Sequence, residues 1–313
     1  GNGGTDVVDQ PGVDVDPSTP GEVVELKLAH QWPAQNIYGQ NFQFFADQVN
    51  ELSNGEIVIE VFPANSLLTI TEMYEGVLDG VTDFGYANSS FLAGRMPELS
   101  FFELPGVFNV DEFAATAEAI QPNMEAIFAD HGLVYLYGQD PGDIVLSSTT
   151  PVQQISDLQG LRVREYGVWV GRAIEAMGGV QTTIPPADLN VALERGTVDA
   201  AYATWTFADG FNLYEQTDHL TWFGVSSMWV YLMMNEDVWN SLSAEQQDAI
   251  REAAVIAQAQ SVELVAESKQ NFLNKVEAAG VNQYYLSDGD RAEIADLVEP
   301  VYEAVRDIIG PLG

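Results

Sequence analysis

Residues 80–91 read GVTDFGYANSSF and residues 196–207 read GTVDAAYATWTF. Side by side, Gly80 matches Gly196, Asp83 matches Asp199, Tyr86 matches Tyr202, Ala87 matches Ala203 and Phe91 matches Phe207. Each copy follows a helical stretch, turns at its glycine and runs through a short strand into a loop. The pair reads either as two ordinary helix–glycine–strand joints or as two lobes of similar build. On the second reading each lobe presents the same loop at the carboxyl end of a strand, where open parallel sheets bind ligands.

The flanking sequence repeats the same grammar. In VVELKLAH, Leu26, Leu28 and His30 alternate as in a half-buried strand, and Phe42, Phe45, Val49 and Leu52 then recur at helical spacing until Asn54-Gly55. EIVIEVFP, DFGYA, LVYLYG, DIVLSS, LRVRE, VQTTI, VDAAYA and MWVYLMM read as further strands. Helical patterns fall at 69–79, 111–131, 168–177 and 187–195. This alternation predicts an α/β fold with mostly parallel strands. Ser243 and Gln246 form a capping box, and no Gly or Pro interrupts 244–279 before Gly280. At 1.5 Å per residue that helix spans roughly 50 Å, enough to cross both lobes. A last helix at 289–309 puts Ile294, Leu297, Val298, Val301, Val305 and Ile308 on one face, with a kink expected at Pro300. The expected organisation is a tether over 1–22, one lobe from 23–144 plus 229–270, and a second from 145–228 plus 271–313.

Composition narrows the function. The chain has 313 residues, is 46% hydrophobic and lacks cysteine, so disulfides and thiolate chemistry are excluded. No apolar run reaches the ~18 residues of a membrane-spanning helix. Against 47 Asp and Glu stand 11 Lys and Arg, a net charge of −36. Such a chain does not suit nucleic acid, whose phosphates need a basic surface. The excess of acid reads as adaptation to high salt, where cations screen self-repulsion. Residues 1–22, rich in Gly, Pro and Asp, read as a disordered tether, such as a lipoprotein uses at a membrane surface.

Enzyme motifs are absent: there is no G-x-S-x-G, no P-loop, no H-E-x-x-H and no EF-hand loop. No metal or cofactor is implied. The arginines say more, because Arg162, Arg164 and Arg172 crowd into eleven residues of a chain poor in cations. An arginine on a strand aimed into a cleft needs an anion and grips carboxylates bidentately. The same residue could equally pair with one of the many internal acids. Aromatic residues gather beside the echoed loops: Tyr86 and Phe91 in the first copy, Tyr202, Trp205 and Phe207 in the second. His30, Gln31 and Trp32 follow the first strand, and His30 could face a cleft.

Seven segments, in order, carry a family likeness: LKLAHQWP, SNGEIVIEVFPANSL, GVLDGVTDFGYANSS, PELSFFELPGVF, SDLQGLRVRE, LERGTVDAAYATW and MMNEDVWNSLSAEQQDAI. From about residue 24 onward the chain resembles the DctP-type extracytoplasmic solute receptors of TRAP transporters. The resemblance implies a two-lobed, periplasmic-binding-protein-like fold and a non-catalytic receptor. It would hand a small organic acid to membrane permease subunits outside the cytoplasm. It assigns Arg164 to the ligand carboxylate and turns Arg162 to solvent. Gln31 and Asn88 become polar ligand contacts, and Tyr202, Thr204 and Trp205 line the second lobe's wall. His30, Trp32 and Phe91 complete the expected site. Ile144 stands where sialic-acid binders of the family carry a further arginine, and Ala201-Tyr202-Ala203-Thr204 replaces their polar run. A monocarboxylate, or an acid with an apolar or aromatic part, is therefore expected rather than a dicarboxylate. The alternatives are a zwitterionic compatible solute caged by Trp32, Trp205 and Phe91, and a carboxylate-using hydrolase on the same scaffold.

Overall fold

The computed structural model describes residues 23–106, 112–225 and 229–309. The expected tether therefore lies outside the described residues, as do the first residue of the helix expected from 111 and Met228 of the expected strand. The chain opens with β1 (Val24–Ala29), α1 (Ile37–Leu52), β2 (Ile57–Phe62), α2 (Met73–Leu78), β3 (Phe84–Asn88), α3 (Ser89–Leu92), α4 (Phe113–Ala129) and β4 (Leu133–Gln139). It continues through β5 (Ile144–Ser148), β6 (Arg162–Glu165), α5 (Val168–Ala176), β7 (Val180–Thr183), α6 (Leu189–Glu194), β8 (Ala200–Thr204), α7 (Trp205–Gly210) and β9 (His219–Trp222). It closes with β10 (Val230–Asn235), α8 (Glu236–Ser241), α9 (Ala244–Ala278), β11 (Asn282–Tyr285) and α10 (Asp288–Ile309).

The strands form two sheets, ordered β2-β1-β3-β10-β4 and β11-β9-β5-β8-β6-β7. Within each, β1–β2, β1–β3, β6–β7, β6–β8 and β9–β11 pair in parallel. The antiparallel members are β10 in the first sheet and β5 in the second. These are the strands that enter from the other half of the molecule, β5 directly after β4 and β10 after β9. Parallel pairing thus holds within each half and fails where the chain crosses over.

The echo between 80–91 and 196–207 is structural as well as sequential. Gly80 and Gly196 both turn with positive φ, +71° and +64°. Asp83 accepts the Lys27 amide through Oδ2 (2.6 Å) and returns its own N–H to the Lys27 carbonyl (3.1 Å). Asp199 does the same with Arg162, at 2.8 Å in both directions. Each Asp therefore ties its strand to the neighbouring one. Each strand ends in a side-chain cap that starts a short helix: Asn88 accepts from the Phe91 amide, and Thr204 from the Phe207 amide.

The long helix joins the halves. Its capping box forms as expected, with Ser243 accepting from the Gln246 amide and Gln246 accepting from that of Ser243. Over its 35 residues the partners change. Ile250, Ala253, Ala254 and Ala257 pack into the first sheet's core with Phe42, Phe45 and Tyr137. Val265, Phe272 and Val276 pack into the second sheet's core with Trp205 and Trp222. The crossover 140–143 is moored to the same helix, since the Asp140 amide donates to Ser261 Oγ (3.2 Å) and Lys269 pairs with Asp143.

Two helices are shorter than their periodicity suggested. The stretch 69–79 begins as a turn in which Glu72 accepts from the Thr69 amide and hydroxyl, so α2 starts only at Met73. The stretch 187–195 begins with a Pro186–Asp188 turn ahead of α6. On α10, Ile294, Val298, Val301 and Val305 are buried as expected, whereas Leu297 and Ile308 are exposed at 36% and 54%. Its buried stripe is narrower than the sequence pattern.

Candidate functional site

The carboxyl ends of β1, β3, β6 and β8 meet along the seam between the sheets and enclose a cavity of about 470 Å³. The first half contributes Gln31, Trp32, Asn88 and Phe91, and the second contributes Arg164, Tyr166, Thr204 and Phe207. The capped loops of the echo therefore face each other across it, with Phe91 and Phe207 at equivalent positions.

Arg164 is the defining group. It sits on β6 and is only 4% exposed. Its Nε donates to the Ile184 carbonyl (3.2 Å), and its guanidinium lies over the Phe207 ring at 4.9 Å. Nη1 has no hydrogen-bond partner among the described residues. Burial pushes its pKa down to about 10, only partly offset by Glu165 and Tyr166. Seven of the eleven basic side chains form ion pairs with acids: Arg95, Arg162, Arg251, Lys269, Lys275, Arg291 and Arg306. Lys27, Arg172 and Arg195 are exposed, so Arg164 is the buried cation without an ion pair among the described residues. Such a group is costly unless an anion joins it.

The polar residues opposite are held in place by Tyr86. Its hydroxyl accepts from Gln31 Nε2 (3.0 Å) and from Asn88 Nδ2 (3.1 Å). Thr204 shares a hydrogen bond of 2.7 Å with Thr206. Arg162 lies outside the cavity at the other end of β6, bound bidentately to Asp199 at 2.6 and 2.9 Å.

Six of the nine expected site residues line the cavity: Arg164, Gln31, Trp32, Asn88, Phe91 and Thr204. Three do not. His30 packs on Phe42 beside a separate hollow, and burial pushes its pKa down to about 4. Tyr202 packs in the core beneath α5, stacked on Tyr166 and edge-on to Phe223, two residues short of the strand end at Thr204 that reaches the seam. Trp205 starts α7 and stacks on Phe272 of α9. The cage of Trp32, Trp205 and Phe91 is therefore not assembled. Phe207 takes the place foreseen for Trp205, and its match to Phe91 in the echo was the signal that marks it. Tyr166, Ile184 and Pro185 also line the wall, in loops that carry no motif.

A larger hollow, about 610 Å³, lies between α4 and α9 on the outer side of the first sheet. Its arginine, Arg251, is already paired with Glu125 at 3.6 Å. Volume alone favours this hollow, but the seam cavity alone holds a buried, unpaired cation among the described residues. Among the described residues no group of His, Asp and Glu is placed to hold a metal ion.

The family model for bacterial extracellular solute-binding protein family 7, DctP, matches residues 28–307. The chain belongs to this family. A TRAP periplasmic solute-binding protein from Ochrobactrum anthropi superposes with a TM-score of 0.86 at 22% identity, covering 93% of this chain and 92% of that one. Another from Xanthobacter autotrophicus, solved with bound β-D-galacturonate, gives 0.79 at 26% identity over 92% and 98%. In sequence, an ectoine/5-hydroxyectoine-binding periplasmic protein of Ruegeria pomeroyi is 26% identical over 71% of this chain and 66% of its own length. The DctP fold of two lobes and a long helix is thus the fold of this chain.

Proposed function

We propose that this chain is the extracytoplasmic solute receptor of a TRAP transporter and binds a small organic acid through its carboxylate at Arg164. One observation carries the reading: a buried guanidinium, without an ion pair among the described residues, faces a cavity of about 470 Å³ between two halves. The halves, residues 23–144 with 229–270 and 145–228 with 271–313, close over the ligand by flexing at the crossovers and α9. Inside, the arginine–carboxylate pair is desolvated and gains strength. Gln31 and Asn88 bind polar groups of the ligand from the opposite wall. The receptor then delivers the acid, chemically unaltered, to membrane permease subunits. The excess of acidic residues suits a salty medium, and the Gly-, Pro- and Asp-rich composition of residues 1–22 suits a lipid-anchored receptor.

Trp32, Phe91, Tyr166, Phe207 and Ile70 give the cavity an apolar character. This favours a monocarboxylate with an apolar or ring-shaped remainder over a dicarboxylate, for which the cavity wall offers no second buried arginine among the described residues. Ile144 is fully buried in the core and does not line the cavity. A second reading is a zwitterion such as ectoine, favoured by the aromatic walls and by the relative from Ruegeria pomeroyi. A thermal-shift screen in high salt separates them. At a ligand concentration of 100 times Kd the stabilisation is about 2.7 kcal/mol. Shifts from neutral-tailed acids support the first reading, and shifts confined to zwitterions support the second. Recovery of altered ligand would contradict both.

A further inference from the structure

We propose that Glu103 is a positioning residue that bridges the two halves behind the ligand cavity and makes their closure take up a proton. Glu103 ends the turn Pro97–Glu103 after α3 and is 1% exposed. Its Oε2 accepts the backbone N–H of Trp169 (3.4 Å) in the first turn of α5, across the seam. It rests against Gly167, where an added Cβ would stand 2.3 Å from Glu103 Oε2 and 3.1 Å from the Ser90 hydroxyl. Ser90, Gly167 and Val168 all line the cavity. The carboxylate is therefore immediately behind the wall where the halves touch.

Among the described residues, the groups around it supply no counter-charge. From β6 comes Glu165, a like charge whose Oε1 accepts from Thr183. From β10 comes the neutral Tyr231, whose pKa burial raises, the nearby Glu103 adding to it. On α5, Arg172 lies over the Trp169 ring at 4.6 Å and forms no ion pair with Glu103. The turn's other acid, Glu98, faces His131 at 3.9 Å. From α10, Val301 and Val305 pack on Leu104 and Trp169, and Tyr302 donates to the Pro105 carbonyl.

Burial pushes the Glu103 carboxyl up to about 7; the Trp169 amide opposes the rise and Glu165 adds to it. When the halves part, water returns and the carboxyl reverts toward 4.5. Between those values the closed form holds a proton that the open form lacks. Closure is then fully favoured at low pH, weakens by up to tenfold per pH unit through that window, and levels off above about 7. Glu103→Gln keeps an oxygen for the Trp169 amide and removes the charge.

The test exploits the absence of cysteine. Val58→Cys and Val180→Cys, on exposed sites of β2 and β7, carry a dye pair that reports the ratio of closed to open forms by energy transfer. The expected ratio falls at least tenfold between pH 5 and 7.5 in the parent chain and stays constant in Glu103→Gln. A flat parent profile, or an equal fall in Glu103→Gln, overturns the inference. It rests on the receptor reading, and galacturonate and ectoine as probes separate the two. A ratio that follows pH but neither probe upholds the latch and rejects that ligand class; one that follows a probe but not pH does the reverse.

Discussion

Arg164→Ala should weaken ligand binding without weakening the fold, a combination that ordinary buried residues do not show. Among the described residues the guanidinium has one hydrogen bond to a carbonyl, one aromatic face and an unpartnered Nη1. The drop of its pKa to about 10 corresponds to roughly 3 kcal/mol of lost solvation. Truncation relieves that penalty and removes the stacking on Phe207, so the unfolding midpoint of the empty protein should stay level or rise. Binding is different. A charge-assisted pair is lost and the ligand carboxylate is left buried without a partner, which costs at least about 2–3 kcal/mol, or roughly 30–150-fold in Kd. Calorimetry with the best acid from the thermal screen, alongside denaturation of both empty proteins, measures both quantities. An affinity within threefold of the parent, or an empty variant destabilised by several kcal/mol, would refute the reasoning.

Three further outcomes follow from neighbouring groups. Phe207→Leu removes the cation–π contact and should weaken carboxylate binding by about 1 kcal/mol, roughly fivefold, with little change in unfolding; unchanged titrations would show that the ring does not support Arg164. Asp140, in the crossover, has its carboxyl pushed up to about 6 by burial, partly offset by the Gly142 amide, with Asp143 adding to the rise and Lys269 opposing it. The folded chain thus holds that proton more tightly than the unfolded chain, and the associated stability is full below about pH 4 and lost as pH rises through 6. Asp140→Asn, which keeps an acceptor for the Gly142 amide, should raise stability by about 3 kcal/mol at pH 8 and by well under about 1 kcal/mol at pH 4; the opposite order in a melting series would reject this sign. The net charge of −36 implies that the melting temperature climbs as KCl increases from 0.1 to 2 M, where the screening length falls from about 10 Å to a few ångströms. A melting temperature insensitive to salt would remove the argument for salt adaptation.

How far the sequence led depends on the kind of signal each residue carries. The echoed strands were legible because glycine, aspartate and the capping residue do the same backbone work in both copies, and that work needs those side chains. The long helix was legible because its cap and its uninterrupted run are local properties. Arg164 stood out because cations are scarce. His30, Tyr202 and Trp205 fall outside the cavity although each lies next to a cavity residue in sequence. His30 packs back on Phe42, Tyr202 stops two residues short of the strand end that reaches the seam, and Trp205 opens a helix that stacks it on Phe272 of α9. Tyr166, Ile184 and Pro185 reach the cavity from loops whose paths are set by tertiary packing, which no local pattern records. Glu103 was invisible for the same reason: among 47 acids, only its position at the seam sets it apart.

The most direct measurement is a crystal structure of this chain with the acid that stabilises it most. The receptor account places a ligand carboxylate between the two halves, within about 2.7–2.9 Å of Arg164 guanidinium nitrogens, with Asn88 or Gln31 on the facing wall. A ligand seated in the hollow between α4 and α9, or one in the seam whose carboxylate turns away from Arg164, would contradict it.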